Sequence, residues 1–269
     1  MINTQKEGRV WALHAPLEVV TFDIYRDIHK GIRAELFGVT TAAGNVDPHD
    51  GTAIASLLQR LSALVGLLDG HAAHEDRYLA PLIQRQSGAL ADAITQDHRT
   101  LEGQLHQLAS TLQNVPSSRS EQRLAVHRFY LCMASFTSDY LEHQALEELE
   151  VMPALAAGYT VQDLLHVNAE ILAEIPPETM AASLSLLLPA MNVDDRVEML
   201  SGIRATAPPQ EFAAVLGLAA TVLPPADYAA LAALGDNIVA ATRRTIDNDS
   251  VTRAFVPCLP AREEGSRRG

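Results

Sequence analysis

Cysteine is nearly missing from this 269-residue chain, with only Cys132 and Cys258, 126 positions apart. That excludes a disulfide scaffold and a cysteine-based zinc site. Aromatic residues are scarce at 5%, while 48% of the chain is hydrophobic, chiefly Ala and Leu. Such a balance favours helix over strand and leaves enough apolar mass for a core. Bases are outnumbered, 20 Lys and Arg against 33 Asp and Glu, for a net charge of −13. This argues against nucleic acid and against an anionic membrane as partners, since both require clustered Lys and Arg. No run approaches the roughly 18 uninterrupted apolar residues of a membrane span. The opening MINTQKEGRVWALHAPLEVV lacks the basic-then-apolar order of a signal peptide. A cytoplasmic protein is the expectation. The unusual presence is histidine, ten in all.

Apolar residues recur at steps of three and four up to residue 157, the period of a helix with one buried stripe. Pro16 suits the first turn of a helix running to about Phe37, with the seam Phe22, Tyr25, His29, Ile32, Leu36. The turn-rich TTAAGNVDPHDG follows as a loop. A second helix, 51–86, reads Leu57, Leu61, Leu64, Leu68, His71, Glu75, Tyr78, Leu82. A third, about 89–114, reads Ile94, His98, Leu101, Leu105, Leu108, Leu112. After NVPSSRS the fourth, about 119–157, reads Phe129, Met133, Phe136, Tyr140, His143, Glu147, Val151. The expected fold is all-α, an up-down four-helix bundle. One length does not match. At about 1.5 Å per residue, His71 lies some 30 Å from a helix start at 51, while His29 lies only about 12 Å from Phe37.

Six seam positions hold His29, His71, Glu75, His98, His143 and Glu147 where Leu would serve packing better. A buried carboxylate without a partner costs several kcal/mol, and a buried imidazole needs its nitrogens satisfied. Six such groups in one core are reasonable only if they converge on cations. His and Glu four apart share a helix face and reach one centre. Four imidazoles and two carboxylates suit a pair of first-row transition metals, iron especially.

His-x-x-x-Glu alone is a weak signal, since His14–Glu18 and His166–Glu170 also show it and read as surface pairs. The longer pattern is specific. HAAHEDRYLAPLI and HQALEELEVMPAL share His, Glu at +4, an acid at +5, a branched aliphatic at +8, Pro at +10 and an aliphatic at +12. These residues are all offset by 72, and His29 and His98 by 69, so a two-helix unit is used twice. The Pro after each ligand segment is expected to end its helix.

These paired segments resemble the hemerythrin-like, or HHE cation-binding, family over roughly residues 15–157. The resemblance implies a four-helix bundle holding two non-haem iron ions that bind O2 or react with it. His29, His71, His98 and His143 would then be terminal ligands, and Glu75 and Glu147 bridging carboxylates. The family's invertebrate oxygen carriers have a fifth His where this chain has Glu102, which leaves a coordination position for water, Glu102 or a seam Tyr. Two functions follow: a protein that binds or senses O2, NO or iron itself, or a di-iron oxidase or peroxide-decomposing enzyme.

Around the six, His74 flanks the seam and reads as exposed or supporting, with a ligand role as the alternative. Tyr25, Tyr78 and Tyr140 read as core, with a place beside the metal as the alternative; Glu102 reads as solvated. Arg33 is set either to hold a ligand carboxylate or to face solvent, and Cys132 reads as inert core.

From 158 to 242 the ligand pattern stops. VQDLLHVNAEILAEI is one amphipathic helix, then PPETMAASLSL, PPQEFAAVLGL and PPADYAALAAL repeat, with NVDDRVEMLSG as a degenerate copy. Four short helices of about 12 residues are expected, each opened by a first-turn Pro or an acid. They are too short to stand alone. A stabilising appendage, a lid over the centre, a homodimer interface and a platform for a protein partner all suit them. Residues 243–269 lose periodicity and read as a flexible tail.

Overall fold

In the computed structural model the described residues are 20–113 and 118–231, and all their regular structure is helical. Pro16 and the 243–269 tail therefore lie outside the described residues.

Helix α1 spans Arg26–Asn45. It begins ten residues later than Pro16 because Asp23 turns the chain: its Oδ1 accepts from the backbone N–H of Tyr25 at 2.9 Å and of Arg26 at 3.2 Å. It also runs past Phe37 through most of the expected loop, burying Val39 and Ala43 in the bundle. The sixteen steps from His29 to Asn45 span about 24 Å, so the longer first helix removes most of the mismatch in depth. The connection shrinks to the few residues before Asp50, whose side chain caps α2 through the N–H groups of Thr52 and Ala53.

The second rod is continuous from Gly51 to Gln86: α2 (Gly51–His74), a π-helical turn (Glu75–Leu79) and α3 (Ala80–Gln86). Helix α4 (Gly88–Gln113) is the third rod. The fourth repeats the second: α5 (Arg119–Leu146), a π turn (Glu147–Val151) and α6 (Met152–Gly158). Helix α1 packs on α2 and α5, and α4 packs on the same two, which closes the four-rod ring. The core holds the seam residues, among them Leu36, Leu61, Leu105, Phe129 and Met133. Cys132 is exposed, one position off that seam, contrary to its reading as core. By length and mean hydropathy (1.4) the rod Gly51–Gln86 is one that could cross a membrane. Here its leucine stripe lies inside the bundle.

Helix α7 (Val161–Glu174) opens with a capping box between Thr160 and Asp163. Then come α8 (Pro177–Ala190), α9 (Val193–Thr206) and α10 (Pro209–Val222), each of 14 residues, and residues 225–231 begin the next helix. Their leucines form a second core that also takes in Ile28 of α1. Arg196 is buried and caps the end of α8, donating from Nε to the carbonyl of Leu188 at 2.7 Å, with Asp227 at 3.2 Å on Nη1.

The C-terminal helices sit on α1. A Cβ added at Gly31 would lie 2.7 Å from Leu187 Cδ2, so α8 packs directly over this glycine and the Leu187 side chain would have to shift to admit one. Next to it Lys30 pairs with Asp195, and Arg26 reaches Glu198 at 3.0 Å.

Candidate metal centre

The two π turns start at Glu75 and Glu147, the equivalent positions of the duplicated motif. In each, an N–H reaches five residues back, from Ala80 to Glu75 and from Met152 to Glu147. A proline inside a helix lacks a donor and crowds the carbonyl four residues earlier. The wider turn closes just before Pro81 and Pro153, so each rod continues instead of ending there, contrary to the expectation from sequence. The extra residue also moves the buried stripe. After Glu75 it passes to Leu79 and Ile83, not to Tyr78 and Leu82. Tyr78 therefore leaves the seam, with Arg77 stacked on its ring at 5.2 Å.

Those turns deliver two carboxylates to the middle of the bundle, facing four imidazoles. Glu75 Oε1 lies 3.2 Å from His71 Nε2, and its Oε2 lies 3.1 Å from His98 Nε2. Glu147 Oε2 lies 3.4 Å from His29 Nε2, and its Oε1 lies 3.2 Å from His143 Nε2. Two groups result, His29–His71–Glu75–Glu147 and Glu75–His98–His143–Glu147, within each of which the ligand atoms lie within 4.8 Å of one another. Both carboxylates belong to both groups, each with its oxygens divided between them. Glu102 is exposed, and neither it nor His74 nor Tyr78 falls in these groups. Tyr25 and Tyr140 are buried with their rings 5.0 Å from His29 and 5.6 Å from His143.

Outer carboxylates fix the rings. Glu148 accepts at 2.9 Å from His29 Nδ1, and Asp76 at 2.8 Å from His98 Nδ1. These are the motif's two acids at +5, and each serves a helix other than its own. Asp97 lies 3.6 Å from His143 Nδ1. Arg33 holds Glu148 through two bonds of 2.7 and 2.8 Å, so it grips the carboxylate behind His29 and not one that faces the centre. With Nδ1 engaged outward, Nε2 of each such ring points inward, the arrangement that orients metal-binding imidazoles. The acid at +5 was visible in the sequence as a repeated letter; its partner on another helix was not.

The inward carboxylates have no hydrogen-bond partners, and Nε2 of His71 meets only Nε2 of His29, at 3.3 Å. Both oxygens of Glu75 and of Glu147, and His98 Nε2, are buried and unbonded. Orphaned donor atoms of this kind, all nitrogen and carboxylate oxygen, fit metal cations such as iron. Without a cation, protons must offset the charge. Burial disfavours charge on the imidazoles, yet the facing carboxylates outweigh it and raise His29 and His143 to about 9 and His98 to about 11. Burial, joined by the charge on His29, pushes His71 down to about 3. Burial and then the charge of Glu147 lift Glu75 to about 7, while Glu147, ringed by imidazolium, is held well below the usual range despite its burial.

A helical bundle that converges four imidazoles and two carboxylates on its axis is a cation-binding protein. The family model described as the hemerythrin HHE cation-binding domain matches residues 20–155. This covers the bundle and half of the chain, and the chain belongs to that family. No curated protein and no solved structure matches it.

Proposed function

We propose that the centre holds two non-haem iron ions and that the protein binds or senses O2, with NO or iron itself as the related alternatives. The observation that carries the dinuclear reading is the division of each carboxylate between two histidine pairs. His29 and His71 would hold one ion, His98 and His143 the other, and Glu75 and Glu147 would bridge. Each position then has four protein donors, fewer than the roughly six that such ions accept in octahedral sites. Neither Glu102 nor Tyr78 is placed to fill the rest, so a small exogenous ligand has room. Bound iron supplies the redox and ligand-binding chemistry; the protein keeps it in a buried, oriented cage.

A second reading, a di-iron oxidase or peroxide-decomposing enzyme, is supported by the apolar cavity whose wall includes His71 and Glu75. The metal-free protein is loaded with two equivalents of Fe(II) under anaerobic conditions, exposed to O2, examined by visible spectroscopy and degassed. An absorption band that disappears on degassing supports binding or sensing. An irreversible change moves the assignment to the second reading, and fewer than two irons per chain after loading sinks the dinuclear centre.

A further inference from the structure

Between the bundle and the C-terminal helices lies a cavity of about 250 Å³. Its bundle wall includes Gly66, Leu67, Gly70, His71 and Glu75, and the opposite wall comes from α7 to α10. The lining is mostly apolar, with Asp23, Asp27, Glu75 and Glu211 but no Lys or Arg.

Two features set this space apart from a packing defect. Gly66 and Gly70, one turn apart in α2, have nothing within 4 Å of where a Cβ would stand. A glycine inside a helix costs about 1 kcal/mol relative to Ala; Gly66, which is exposed, and the half-buried Gly70 leave the α2 wall of the cavity without side chains at these two positions. The second feature is Glu211, whose Oε2 is buried with no hydrogen-bond partner. Asp23 accepts from Tyr25 and Arg26 and Asp27 pairs with Arg26, while the unbonded oxygens of Glu75 belong to the metal centre. An unpaired buried carboxylate oxygen is costly until a donor reaches it.

We infer that this cavity binds a compact apolar amine, its ammonium on Glu211 and its hydrocarbon body along Gly66 and Gly70 toward His71. An apolar cavity of about 150 Å³ takes a benzene-sized body, so this one has room for a somewhat larger hydrocarbon. The lining has acids and the imidazoles of His71 and His74 but no Lys or Arg, which disfavours a carboxylate of the same length. Only the ligand's position beside a metal depends on the di-iron reading; binding itself does not.

The test is calorimetric titration of the metal-free full-length chain with n-octylamine and with octanoate near neutral pH. The amine is expected to bind once per chain and at least about tenfold more tightly than octanoate. Glu211→Gln should remove that preference. Gly66→Leu and Gly70→Leu, at positions where a Cβ meets no neighbour, should abolish amine binding while the melting temperature and the metal content after loading stay at the parent values. Absence of amine binding, an equal response to octanoate, or unchanged binding in both leucine variants overturns the proposal. Failure of the di-iron reading would show separately, as iron content in the loaded parent.

Discussion

The two halves of the centre come from one motif used twice, and they differ where the motif does not reach. At the offset of 69 that relates His29 to His98, Ile28 stands opposite Asp97 and Arg33 opposite Glu102. In the second half Asp97 lies behind His143, which is held protonated up to about 9 against its burial by Glu147 and Asp97. In the first half Ile28 offers His71 no carboxylate; it packs into the C-terminal core and lines the cavity. His71 falls to about 3 under burial. In the first half Arg33 fixes Glu148 behind His29, leaving that carboxylate 26% exposed, while Asp76 behind His98 is 52% exposed, and the position equivalent to Arg33 holds Glu102, which as a carboxylate cannot clamp it. The duplication therefore sets the inward donors equally and leaves the outer support unequal: one half is clamped and apolar, the other acidic and solvated.

The largest expected effect removes what the halves share. Glu147→Ala should abolish stoichiometric metal binding, whereas His143→Ala should empty only its own half; equal metal content in the two variants would break the idea of a shared carboxylate. Next comes the clamp. Arg33→Glu gives the first half the residue of the second, and it should weaken metal binding by about 10–100-fold through the loosened His29. Glu102→Arg should cause no such loss, and competitive chelator titrations of both variants check the asymmetry. A third effect is carried by protons. His29, His98 and His143 are raised above the ordinary 6.5, to about 9, 11 and 9. Their stabilisation of the metal-free fold is complete below about pH 6.5 and drains away as pH climbs through 9 to 11. Metal uptake must displace these protons, so affinity should rise over the same interval. Denaturant midpoints of the metal-free protein at pH 6.5 and 9.5 test this, and a higher midpoint at pH 9.5 would contradict it. The smallest change is Asp97→Ile, which copies the first half into the second. Because the contact is 3.6 Å, a loss of only a few-fold in affinity is expected.

How much of this was legible in the sequence depends on what each feature answers to. The apolar seams of α2, α4 and α5 follow helical period, and the apolar residues read as seams there are buried. The six inward residues stood out because His and Glu occupied those seams. Local period failed where the helix itself changed. Extrapolating from Glu75 leads to Tyr78, but the π turn adds a residue and buries Leu79. The repeat carried the correction, since the motif's aliphatics at +8 and +12 are Leu79 and Ile83 in one copy and Val151 and Leu155 in the other, all buried. The extent of α1 was misjudged because TTAAG is composed like a loop, while burial of Val39 and Ala43 against the bundle outweighs that propensity. The outer carboxylates and the cavity join residues more than 20 positions apart, and no local pattern encodes them.

Helix α1 carries consecutive residues with different attachments. His29 faces the centre, Lys30 pairs with Asp195 of α9, and Gly31 seats Leu187 of α8. Less than one helical turn thus joins the interior of the bundle to the outer array, with no flexible joint between them. The residue that presents an imidazole to the centre is therefore two positions from the one packed against α8, and the inner and outer cores share a single stretch of backbone.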